Sequence, residues 1–153
     1  MGRGDQRGQA WPLVLTLLLG LILLALPIIA TGYAEGTLWL TQQAADAAAL
    51  AGAQHTVTEQ QTDAAGTVFC QSVAVDPIAG PAAALRYWDA NLAAMPSLQT
   101  VSFLAVPDGN TLSVQAKVNL PGGGLALVGD QTLTWQVAAE AQTAAPASGL
   151  PAC

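Results

Sequence analysis

A run of 27 residues, Gly8 to Ala34, contains no Asp, Glu, Lys, Arg or His. Its centre reads Leu13-Val-Leu-Thr-Leu-Leu-Leu-Gly-Leu-Ile-Leu-Leu-Ala-Leu-Pro-Ile-Ile-Ala30. A helix crosses the hydrocarbon core of a bilayer with roughly 20 apolar residues, so this run is long enough to span even when tilted. Pro12 suits a first helical turn, and Trp11 suits the membrane interface. Leu13, Leu17, Leu21, Leu24 and Ile28 carry the anchor along with Trp11. Pro27 is expected to kink the last turns, which packed membrane helices tolerate.

The flanks set the orientation. Arg3 and Arg7 precede the run, and Asp5 offsets little. Beyond Ala34 stand nine acidic residues and two basic ones, Arg86 and Lys117. The positive-inside rule places the short N-terminus in the cytoplasm and the rest outside. The rival reading is a signal peptide cut at Gly32-Tyr33-Ala34, releasing a secreted protein. The apolar run exceeds the roughly 7–15 residues of a signal core, which favours a retained anchor.

Composition agrees. Hydrophobic residues make up 52% and charged residues 9%, against about 25% charged in ordinary soluble domains. The net charge is −6. Without clustered Lys and Arg, nucleic acid is a poor partner.

The helical signal continues past the run. Thr37 to Thr56 has no proline and one glycine, Gly52, and seven of the ten residues Ala44 to Ala53 are alanine. Alanine is the best helix former, and one helix is expected from about Trp11 to about Thr58. Leu40, Ala44, Ala47, Ala51 and Gln54 fall on one face at three- and four-residue steps. Small side chains let another helix or a sheet approach closely. Ala44, Ala47, Ala48 and Ala51, with the small-xxx-small pair Gly32 and Gly36, are the candidate packing residues.

Thr67 to Val75 reads as a strand. Asp76-Pro77 and Gly80-Pro81 break it. A second helix is expected from Ala82 to Met95, stopped by Pro96, with Leu85, Trp88, Leu92 and Met95 as its core stripe. Val101 to Val106 leads into the turn Pro107-Asp-Gly-Asn110. Then Leu112, Val114, Ala116, Val118 and Leu120 alternate with polar residues, the mark of a half-buried strand. Gly122-Gly-Gly124 breaks the pattern, Leu125 to Val128 suits a turn of helix, and alternation returns at Leu133, Trp135, Val137 and Ala139.

The expected fold is α+β: a long N-terminal transmembrane helix, an alanine-rich extension, then a small antiparallel sheet with a second helix. The divisions are a cytoplasmic N-terminus at 1–10, the span at 11–34, the extension at 35–60, an exported α+β domain at 61–143 and a loose tail at 144–153. Cys70 and Cys153 suit an exported domain, either as one disulfide or as two unpaired thiols. They are too few to make a zinc site by themselves.

Arg7-Gly-Gln-Ala10, the Leu-rich span and Leu40-Thr-Gln-Gln-Ala-Ala-Asp-Ala-Ala-Ala-Leu-Ala-Gly-Ala53 resemble the N-terminal region of TadE/TadG-like proteins. These are pseudopilin or minor-pilin components of the tight-adherence (Flp) type IV pilus of bacteria. The block Gln43 to Ala51 is the most specific part, and the hairpin and final strand are similar more loosely. The resemblance implies a pilin-like, membrane-anchored component of a pilus or related secretion system. Its partners would be other pilus proteins, membrane lipid and a homo- or hetero-oligomer formed through the N-terminal helix. One departure matters. TadE-type pseudopilins are cut after a glycine and carry glutamate at the fifth mature residue. Here the fifth residue after Gly8 is Leu13, so the chain looks closer to TadG, with an uncleaved anchor.

No catalytic constellation stands out, and neither an enzyme nor a cofactor is expected. His55 is the only histidine, so it has no second histidine with which to build a site. Asp46 is expected on a wet face. Gly122-Gly-Gly124 lacks the Gly-Lys-Ser/Thr ending of a phosphate loop, and Asp108-Gly-Asn110 reads as a turn. A membrane-anchored binding module unrelated to pili is the other alternative.

Overall fold

In the computed structural model, residues 10–120 and 132–144 are described. Helix α1 runs over Ala10–Ala53, 44 residues, or about 66 Å at the helical rise. Strands β1 (Thr56–Thr62) and β2 (Val68–Val75) follow, then α2 (Ala79–Ala93), β3 (Gln99–Asp108), β4 (Thr111–Leu120) and β5 (Leu133–Gln142). The fold is α+β. β1 and β2 make an antiparallel hairpin; β3, β4 and β5 make a separate antiparallel sheet in that order.

α1 continues through Pro27 but ends at Ala53, short of the expected Thr58. The N–H of His55 donates to the Gly52 carbonyl at 3.1 Å, and Thr56-Val57-Thr58 enters β1 opposite Val73-Ala74-Val75. β-branched residues prefer such a pleated partner to a helix end. The tail of the expected helical extension is therefore a strand that its own residue types favour.

α2 starts at Ala79 rather than Ala82. The Asp76 carboxylate accepts the N–H groups of Ile78 and Ala79, both at 2.8 Å. Two donors otherwise orphaned in the first turn are thereby satisfied ahead of Pro81.

The outer half of α1 and all of α2 lie on one face of the three-stranded sheet. α1 packs against β5 and β4, and α2 against β3. Leu112, Val114, Ala116, Val118 and Leu120 of β4 are all buried, as their alternation requires. Leu112, Val114, Ala116 and Val118 share one core with Ala44, Ala45, Ala48 and Ala49 from α1 and Ala84 and Trp88 from α2. Trp88 stacks at 5.5 Å between ring centroids on Phe103. Its indole N–H donates to the Thr100 hydroxyl at 3.1 Å.

A bulge between Thr100 and Ser102 shifts the β3 register. It turns Val101 outward and lets both Thr100 and Phe103 reach the core side. The expected α2 stripe needs one correction. Leu85 is 43% exposed, while Gly80, Ala83 and Ala84 are buried. Contact with α1 demands small residues there. At the start of β5, Leu133 is likewise exposed, at 40%, because it stands at the open end of the sheet.

Candidate functional site

The feature of α1 that sets this molecule apart is the contrast between its two halves. From Trp11 to Ile29 the helix is apolar and bare. Trp11 is 72% exposed, and Leu13, Leu17, Leu21, Leu24 and Ile28 are similarly open. The helix is long and apolar enough to cross a membrane, and none of its most apolar stretch is buried inside the chain. So large an apolar surface requires cover, by lipid or by other helices.

Its few polar atoms are already satisfied. The Thr16 hydroxyl donates to the Pro12 carbonyl at 3.0 Å, and the Thr31 hydroxyl to the Pro27 carbonyl at 3.0 Å. Such back-bonding leaves neither hydroxyl donor unpaired on this apolar surface.

The outer half is spent within the chain. Ala44, Ala48 and Ala51 are buried, and Ala47 is half-buried. Ala45, Ala49, Gly52 and Ala53 are buried too. The buried surface is therefore wider than a single face and rotated from the expected one. It starts at Thr37 and Thr41, while Leu40 and Gln54 point outward. Two partners cause this, since α2 and the sheet grip the helix from different sides. Thr41 is fully buried, yet its hydroxyl donates to the Thr37 carbonyl at 2.7 Å. The signal for this wider surface lay in the density of small residues, eight of the ten from Ala44 to Ala53 being alanine or glycine.

Gly32 and Gly36 have open space around them. A Cβ at either position would meet no described atom within 4 Å beyond their own helix. Asp46 is exposed and accepts from Gln42 Nε2 at 3.1 Å. The same amide nitrogen donates to the Ala138 carbonyl at 2.8 Å. That bond ties α1 to β5, which is an edge strand among the described residues. Beside it, a groove of about 470 Å³ lies between Glu35, Leu38, Trp39 and Gln42 on α1 and Gln136 and Val137 on β5.

Other candidates resolve into structural roles. Asp108 and Asn110 flank Gly109, whose φ of +58° makes the β3–β4 turn. His55 is exposed just past the helix end. Cys70 is buried in β2 and disulfide-bonded. Cys153, Gly122-Gly-Gly124 and Leu125 to Val128 lie outside the described residues. Among the described residues no cluster of three or more metal-ligating side chains occurs.

The comparisons with known proteins fall on this same helix. Residues 8–55 match a family described as "Putative Flp pilus-assembly TadE/G-like". No curated protein and no solved structure matches the chain.

Proposed function

Because residues 8–55 match a TadE/G-like Flp pilus-assembly family, we propose that the chain is a membrane-anchored structural component of a Tad-type pilus or related secretion system, minor-pilin-like and without catalysis. The observation that carries this reading is the two-sided helix. Its alanine-rich half is consumed in holding its own domain, and its leucine-rich half is left bare. A rigid helix of this kind fastens an α+β domain to whatever covers the bare half. In the resting protein that cover is the bilayer, with the N-terminus in the cytoplasm and residues 35 onward outside. In an assembly it is a bundle of helices from other pilus subunits, and open Gly32 and Gly36 allow close approach there.

The mass of the protein recovered from membranes tests the anchor. Retention of residues 1–34 is expected. Loss of residues 1–34 would sink the anchored reading, and loss of residues 1–8 would restore prepilin-type processing. A deletion strain tests the pilus role. Filaments should be lost or shortened, and a full set of normal filaments would remove any essential structural part.

A further inference from the structure

The exported domain carries no spacer between itself and the apolar run. The Tyr33 and Ser97 hydroxyls lie 3.3 Å apart, and Tyr33 still belongs to the charge-free segment that ends at Ala34. Ser97 sits in the turn between α2 and β3, so that turn stands level with the outer end of the run.

The strand ends reach the same level. β5 travels alongside α1 in the same direction: Gln136 and Val137 adjoin Leu38 and Trp39, and Gln142 and Thr143 adjoin Leu50 and Ala53. Gln42 is bonded to Ala138. Five residues back along the strand, Leu133 lies roughly 16 Å nearer the run. Nine residues back along the helix, Tyr33 lies roughly 14 Å nearer. Leu133 and Tyr33 therefore come level, and Leu120 is paired with Leu133.

The span fits this placement. Trp11 and Tyr33 are separated by about 33 Å along the helix, close to the roughly 30 Å hydrocarbon core that interfacial aromatic residues bracket. The turn at Pro96 and Ser97 is exposed, as are Leu38, Trp39 and Leu133. The β3–β4 turn, with Asp108, stands at the opposite pole, because Gln99 pairs with Asn119 at one end of the hairpin and Asp108 with Thr111 at the other.

We propose that this near pole is a lipid-binding surface: the Met95–Leu98 turn and the start of β5 rest in the outer headgroup layer around Tyr33, fixing the height and tilt of the domain on the bilayer. The proposal rests on the anchored reading and adds a second, peripheral contact to it. Exposed Leu133, Leu38 and Trp39 supply the apolar and aromatic groups that such a layer accepts.

Lipid photocrosslinking tests it. The full chain is reconstituted in phosphatidylethanolamine–phosphatidylglycerol vesicles containing a lipid with a photoactivatable headgroup, irradiated, digested and mapped by mass spectrometry. Adducts are expected near Tyr33, in Met95–Leu98 and in Leu133–Gln136, at about tenfold the level found at Asp108–Thr111. Adducts near Tyr33 with none at the turn or strand would overturn the proposal while leaving the anchor standing. Absence of adducts throughout residues 11–34 would defeat the anchored reading itself, and this proposal with it. In Leu133→Glu, adducts at the strand should fall severalfold while those near Tyr33 persist. Unchanged strand adducts would remove Leu133 from the surface.

Discussion

Gly52 of α1 and Gly80 of α2 meet backbone to backbone where the two helices cross. A Cβ on Gly52 would stand 2.7 Å from the Gly80 carbonyl oxygen and would collide with the buried Leu112 side chain. A Cβ on Gly80 would stand 2.6 Å from Val75 Cγ1 and 3.2 Å from the Gly52 carbonyl oxygen. Both glycines serve close approach, and neither has positive φ.

Gly52→Ala is therefore expected to destabilise the domain by about 2–3 kcal/mol through overpacking, despite alanine's better helix propensity. Gly36→Ala, in open space on the same helix, should change stability by less than about 1 kcal/mol. Urea unfolding of the two variants checks the contrast. Equal stabilities would mean that the crossing is looser than the structure has it.

Trp88 is fully buried between the helices and the sheet. Trp88→Ala should cost about 3–5 kcal/mol. Thr100→Val removes only the acceptor for the indole N–H, at a cost of about 1–3 kcal/mol. Thermal unfolding followed by circular dichroism should rank them in that order.

Asp76 makes stability depend on acid. Hydrogen bonds from the N–H groups of Ala79 and Ile78 hold its carboxyl below the ordinary value, partly opposed by burial and helped by the charge of His55. A lowered folded pKa means a contribution fully present above about pH 4 and lost as pH falls through the folded value. Asp76→Asn keeps an acceptor oxygen but lacks the titration. Its stability between pH 5 and pH 2 should fall less steeply than that of the parent, and parallel curves would count against the assignment.

Cys70 lies in a hairpin that makes few contacts with the rest of the body. Joining it to Cys153 would close a loop of about 80 residues and stabilise by up to about 4–5 kcal/mol by chain entropy. A non-reducing digest should yield one peptide pair linking the two cysteines within a single chain. Linkage between two copies, or two alkylatable thiols, would reject that pairing.

Much of the plan was legible in local pattern. Alternation along Leu112–Leu120 identified a half-buried strand, and Pro107-Asp-Gly-Asn110 identified its turn. The alanine block was legible as a close-packing segment, but not how much of it would be buried. Spacing puts Leu40 on one helical face with Ala44, Ala47 and Ala51, yet it lies outward, because Thr37 and Thr41 can be buried once their hydroxyls bond back to helix carbonyls. Gly80-Pro81 reads as part of a loop after the strand, and Gly80 is instead half of a helix crossing. Neither outcome can be read from spacing, since each depends on a partner distant in the chain.

By itself the sequence determined a charge-free segment of bilayer length, a small-residue helix beyond it and an alternating sheet, because these follow from periodicity and the cost of burying charge. Only the tertiary structure decided which side of the alanine helix is consumed, which glycines touch and how close the domain stands to the apolar run. Those relations depend on contacts between residues far apart in sequence, such as Gly52 with Gly80, Gln42 with Ala138 and Tyr33 with Ser97.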